Sequence, residues 1–117
     1  MADDDFSVAD YLKEQLARTR ATWARLRQHG VIDGSELQLD FFYTAPTSTR
    51  AAELKRFLEE ETDYEMRVTA DRDQWILQGH TQRAPLSLAM VEQWVDWMVT
   101  AGLRFECAFD GWGAEAP

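Results

Sequence analysis

The segment Phe105-Glu106-Cys107-Ala108-Phe109-Asp110-Gly111-Trp112-Gly113 alternates apolar and polar residues, then runs into two glycines that flank a tryptophan. Alternation assigns Phe105, Cys107 and Phe109 to one face of a strand and Glu106 and Ala108 to the other, the pattern of a half-buried strand that closes a sheet. Gly111 and Gly113 tolerate positive φ, so the chain is expected to turn sharply there and lay Trp112 back on the body as a latch. A contact with a partner is the other reading of Trp112.

Upstream, Pro85-Leu86-Ser87 opens a helix with Leu88, Val91, Trp94, Val95 and Met98 on its core side, and Met90, Trp97 and Ala101 widen one flank. Gly102 is expected to end it and Leu103 to open the last strand. One sheet face does not use so wide an apolar arc. The surplus packs on the N-terminal helix, on Trp112 or on another chain; packing within the chain is the commoner outcome and favours a monomer.

Before that helix, Tyr64, Met66, Val68 and Ala70 alternate with Glu65, Arg67 and Thr69, Asp71-Arg72-Asp73 turns the chain, and Trp75 through His80 returns as a hairpin partner. Pro46 and Thr47-Ser48-Thr49 start another helix, facing Ala51, Leu54, Phe57 and Leu58 inward. Glu59, Glu60, Glu61 and Asp63 crowd its C-terminus, where the helix dipole already concentrates negative charge, at a cost of a few tenths of a kcal/mol each. A run that opposes local stability marks a candidate acidic contact patch for a basic partner; simple solubility is the plainer account.

Leu37, Leu39, Phe41 and Tyr43 give the first strand one apolar face. Phe42 stands among the polar residues of the other face, where the N-terminal helix is expected to cover it unless it belongs to a contact surface. That helix is delimited by a capping pattern at Ser7 and Asp10 and by Gly30, with an inner seam of Val8, Leu12, Leu16, Thr19, Trp23 and Leu26. Lys13, Arg20 and Arg27 form a basic stripe beside the seam, either a solvated face or a docking edge for an acidic surface.

The element order is a helix followed by βαββαβ: an α+β, ferredoxin-like plan with a four-stranded antiparallel sheet, two helices on one face, and the final strand placed centrally beside the first. Within a single domain spanning 1–117, residues 1–6 form a flexible acidic N-terminus, 7–30 the N-terminal helix and 36–113 the core.

Lys and Arg number 12 against 21 Asp and Glu, a net charge of −9, which opposes direct contact with nucleic-acid phosphates or an anionic membrane and favours a basic partner. The single cysteine, Cys107, fits a reducing, cytoplasmic setting and reads as a small core residue. Asp3-Asp4-Asp5 is the reverse of a signal peptide, and no run is long enough to span a membrane.

His29, His80 and Cys107 are too scattered for a metal site, and neither a nucleophile elbow nor a phosphate loop is present, so no metal, cofactor or catalytic set is expected. Asp40 and Glu106 form a possible carboxylate pair across neighbouring strands, with Arg67 and Arg104 as neutralising partners. The outward positions of the last strand, Arg104, Glu106 and Ala108, offer no platform for stacking RNA bases.

With these residues in view, the chain resembles the RraB family, protein inhibitors of the endoribonuclease RNase E. The resemblance is most specific at Phe105 and Asp110-Gly111-Trp112-Gly113, since the family closes its last strand with an Asp-Gly-Trp-Gly signature. Thr19-Arg20, Leu26 and Gly30, the Leu37 pattern, Tyr64-Glu65 and Val95 extend it across residues 15–113. It implies an acidic α/β domain that binds the nuclease and modulates RNA decay without catalysis of its own, with Glu59, Glu60, Glu61, Asp63, Asp110 and Trp112 as candidate partner-binding residues. The sequence ends four residues after Gly113, whereas the family often carries a long acidic tail, so a binding role for such a tail does not carry over. The competing hypothesis is a small-ligand or enzymatic ferredoxin-like domain that uses Asp40, Glu106 and the C-terminal aromatics around a pocket.

Overall fold

The computed structural model describes residues 7–115, so the acidic segment 1–6 lies outside the described residues. The Ser7 hydroxyl accepts the Asp10 N–H at 3.2 Å and opens α1 (Val8–Gln28), whose residues Thr19, Trp23 and Leu26 are buried as the seam requires, whereas Val8, expected in the seam, is exposed in the first turn. Past the helix, Gly30 takes φ 102°, a left-handed conformation that glycine adopts without steric cost.

What reads as one strand from Leu37 to Tyr43 is two elements: β1 (Glu36–Leu37) and β2 (Asp40–Ala45). α2 (Ser48–Glu61) follows, capped by the Thr47 hydroxyl. β3 (Glu65–Asp71) and β4 (Gln74–His80) form the expected hairpin, with Arg72 at φ 61° in its turn. β5 (Ala84–Pro85) pairs with β1 in a small antiparallel ribbon not foreseen from the sequence. α3 (Leu88–Leu103), capped by the Ser87 hydroxyl, leads to β6 (Ala108–Gly113).

The main sheet has the order β3-β4-β2-β6, with antiparallel neighbours throughout. The last strand pairs with the first long one as expected, but it lies at an edge rather than centrally. Phe41, Tyr43, Leu77 and Phe109 are fully buried; α2 packs against β2, β3 and β4, while α1 and α3 pack against each other and against β6. Burying side chains of this size contributes about 1.5–3 kcal/mol each, and it is this sum that opposes the chain entropy. The opposite face stays open. Phe42 projects from it 41% exposed and is not covered by α1.

The C-terminal stretch departs most from its sequence reading. α3 runs through Gly102 to Leu103, residues 104–106 form a turn, and the reversal falls on Glu106, at φ 62°. Burial still alternates as read, with Cys107 and Phe109 fully buried, but Phe105 is not in the strand. Gly102 fits closely here: a Cβ on it would lie 2.6 Å from the Tyr43 ring, and its carbonyl accepts the N–H groups of Phe105 and Cys107.

Gly111 and Gly113 are not a fold-back but part of β6. Tyr43 pairs with Phe109 and Phe42 with Gly111, so Asp110 is the extra residue of a β-bulge, with Gly111 at φ 140°. Residues three apart on a regular strand face opposite sides. The bulge brings Phe109 and Trp112 to the same helix-covered side, so Trp112 reaches the core by a change of register rather than by a turn.

No helix among the described residues is long and apolar enough to cross a membrane.

Candidate functional site

The C-terminus of α2 ends without a basic residue to offset its dipole. Thr62 closes it instead: its backbone N–H and its hydroxyl both donate to the Leu58 carbonyl, at 2.8 and 2.6 Å. Glu59, Glu60, Glu61 and Asp63 are exposed around this cap. Glu59 is tied to Lys55 at 2.6 Å, while Glu60, Glu61 and Asp63 have no ion pair among the described residues. Unpaired carboxylates at a helix C-terminus leave a local field that a cation relieves.

Facing this acidic end, α3 presents Met90, Trp94 and Trp97, whose four- and three-residue steps make one stripe. Trp94 is fixed: its indole N–H donates to the Tyr64 hydroxyl at 2.9 Å, and its ring meets Phe41 and Phe109 edge-on at 6.3 and 6.0 Å. Burial pushes the Tyr64 phenol up from its ordinary pKa, against a smaller lowering from the Trp94 bond, so it stays protonated at neutral pH. Met90 and Trp97, 50% and 39% exposed, are the surplus of the wide apolar arc and face solvent rather than the interior. Trp97 stacks on Phe57 at 6.0 Å and 26°, Phe57 lies 5.7 Å from Phe105, and the Arg104 guanidinium sits 4.8 Å over the Phe57 ring.

Between the end of α2 with the residues that follow it, the segment 81–86 and α3 lies an apolar hollow of about 440 Å³, bounded by Tyr64, Leu86, Met90 and Trp94, with Glu61 and Asp63 at its margin. It continues past Met90 and Trp94 to Trp97. The result is a groove with rigid aromatic walls and an acidic rim, a form suited to an amphipathic segment that carries Lys or Arg beside its apolar anchors.

The candidate residues do not all meet there. Phe105 reaches the far end of the aromatic row through Phe57, whereas Trp112 and Met66 stand in one cross-sheet row on opposite edge strands, roughly 14 Å apart at ordinary strand spacing. The acidic run thus belongs to the β3 side and Asp110 and Trp112 to the β6 side. Asp110 accepts the Thr44 hydroxyl on the open sheet face, and the Trp112 indole N–H donates to Thr19 of α1 at 3.0 Å.

The Asp40–Glu106 carboxylate pair is not formed. Asp40 lies opposite His80 and Gly113, while Glu106 sits in the turn and pairs with Arg50 at 3.0 Å. Arg104 is taken up by the aromatic rings. Of the basic stripe on α1, Arg20 bonds Glu92 of α3 at 2.6 Å and so links two helices. Cys107 is buried, and desolvation pushes its thiol up to about 11 despite the opposing charge of Arg50. Among the described residues no group of three His, Cys, Asp or Glu side chains is placed to hold a metal ion.

Tyr64 and Phe57 of the groove were not singled out by sequence as contact residues. Their signal was indirect, the excess width of the α3 arc. No protein-family model matches the chain, and no curated protein matches it.

Proposed function

We propose that this chain is an acidic, cytoplasmic protein-binding regulator of the RraB type, built on a ferredoxin-like core, that modulates an RNase E-type endoribonuclease as a monomer and without catalysis of its own. The antiparallel order β3-β4-β2-β6 with its covering helices supports the ferredoxin-like assignment. The observation that carries the functional reading is the groove at the C-terminal end of α2 and along α3, where exposed Met90 and Trp97 lie beside the unpaired carboxylates Glu61 and Asp63, with Glu60 one residue upstream on α2. Exposed aromatic and methionine side chains with a charged margin favour a protein partner, and the sign of the margin favours a basic one. A net charge of −9 works against direct engagement of RNA.

The competing small-ligand reading relied on Asp40, Glu106 and the C-terminal aromatics around one pocket, and these residues lie apart. Titration of the chain into an RNase E-type endoribonuclease, with RNA cleavage followed in parallel, tests the proposal. Saturable binding that weakens with salt, is reduced by Trp97→Ala and slows cleavage is the expected result; unaltered cleavage with no binding would discard it.

A further inference from the structure

A second cavity, of about 300 Å³, lies on the other side of the molecule between α1 and the bulge of β6. Gln15, Arg18, Thr22 and Arg25 line it from the helix, and Asp110 and Trp112 from the strand. Its charge runs against that of the whole chain, since Arg18 and Arg25 line it without an ion pair among the described residues, while the Asp110 carboxylate at its margin is bonded to the Thr44 hydroxyl, in a protein of net charge −9. Gln15 is only 5% exposed, yet among the described residues its side-chain amide has no hydrogen-bond partner. Its amide atoms are not sealed inside, since the Trp23 indole nitrogen is the buried side-chain polar atom left without a partner among the described residues; the Gln15 amide opens instead to the cavity, where it can donate to a ligand. Arg18 has no ion pair or hydrogen bond among the described residues, and Arg25 has only the Thr22 hydroxyl, at 3.3 Å.

We propose that this cavity is a binding site for a monocarboxylate. The arginines supply planar, bidentate donors matched to a carboxylate, Gln15 donates to one of its oxygens from below the surface, and the Trp112 ring walls off the apolar body of the ligand. The Thr19 hydroxyl is already committed, donating to the Gln15 carbonyl and accepting the Trp112 indole N–H, so it holds the wall rather than the ligand. Asp110 lowers the net charge of the lining: with it, two arginines leave one net positive charge, which a single carboxylate matches and a phosphate dianion exceeds. The volume is at the lower end of small-molecule sites, which admits a compact acid or the side chain of an acidic residue.

The full chain, labelled with nitrogen-15, is titrated with benzoate, with inorganic phosphate and with a blocked Gly-Glu-Gly peptide that carries one carboxylate, while the Gln15 side-chain amide and the Trp112 indole N–H resonances are followed. Saturable shifts of these two resonances with benzoate, and weaker ones with phosphate, are expected; a peptide that binds as well as benzoate assigns the site to an acidic side chain, and one that does not assigns it to a free acid. Arg18→Gln with Arg25→Gln should weaken binding at least about tenfold, as loss of charge-assisted bonds requires. Gln15→Met, which keeps volume and removes the donor, should weaken it with both arginines in place. The other indole resonances report that the variants are folded. Shifts that do not saturate, that favour phosphate, or that persist unchanged in the double arginine variant would overturn the assignment.

Discussion

The Trp112 indole N–H donates to the Thr19 hydroxyl at 3.0 Å, joining the last strand to the first helix across 93 residues of chain. Thr19 is 1% exposed and passes the bond on to the Gln15 carbonyl at 2.9 Å, so the contact is a relay inside α1 rather than a surface touch. Trp112→Ala should therefore cost on the order of 3 kcal/mol in unfolding free energy, whereas Trp112→Phe, which keeps most of the packing, should cost only about 1 kcal/mol for the lost bond. Urea midpoints of the two variants measure the difference. Equal, negligible changes would mean that Trp112 does not act as a latch.

Gly102 offers a test of packing at the end of α3. A Cβ there would stand 2.6 Å from a Tyr43 ring carbon and 2.8 Å from the Cys107 carbonyl oxygen, and the latter belongs to backbone that cannot swing aside. Gly102→Ala should destabilise by roughly 1–3 kcal/mol, although alanine is the better helix former. A thermal midpoint at or above that of the parent would show that the turn at residues 104–106 yields without cost.

Most of the fold was legible because periodicity reports burial, and at the C-terminal stretch burial was read correctly where backbone was not, whereas Phe42, Met90 and Trp97, expected to be covered within the chain, are exposed. Cys107 and Phe109 are buried on alternate positions, as expected of a strand, yet residues 104–106 form a turn, because a left-handed Glu106 gives the same alternation by another path. The bulge at Asp110 left no mark in the residue types beyond Gly111, since a bulge is a matter of register with β2. The acidic side of the groove was visible as a charge run. That it adjoins Met90 and Trp97 depends on how α2 and α3 lie together, which local sequence does not encode. Asp40 and Glu106 were placed opposite each other by extending the last strand too far upstream.

Stability should fall on the alkaline side. Burial pushes the Cys107 thiol from 9.0 up to about 11 and the Tyr11 phenol from 10.0 up to about 12, and the Tyr11 hydroxyl, which donates to the Phe109 carbonyl, keeps that bond only while protonated. Both groups are neutral when protonated and have folded values above their unfolded ones, so their contribution is fully present below pH 9 and is lost as pH rises through about 11 and 12. Tyr43 is raised for the same reason, burial, and acts in the same direction. Urea midpoints followed from neutral pH to about 12 should hold level and then drop, and Cys107→Ala should delay the onset. A level profile across that window would contradict the burial of these groups.

The groove makes a prediction in which stability and binding move in opposite directions. Glu60, Glu61 and Asp63 sit where the α2 dipole disfavours them, so replacing all three by lysine should stabilise the free protein by a few tenths of a kcal/mol each. The same change moves the formal charge from −9 to −3, two units per reversal, and removes the field that draws in a basic partner, so association should slow about tenfold or more and its salt dependence should flatten. Trp97→Ala acts on the other half of the site. Its indole is 39% exposed and stacked on Phe57, so its loss should cost the fold about 1 kcal/mol or less, while a central aromatic anchor is worth roughly 2 kcal/mol in affinity, expressed as faster dissociation. Binding kinetics with an RNase E-type endoribonuclease, the proposed partner, at two salt concentrations, beside urea unfolding of both variants, separate the effects. If the lysine variant binds as fast as the parent at low salt, the acidic rim is there for solubility alone; if Trp97→Ala dissociates no faster, the partner does not use this groove.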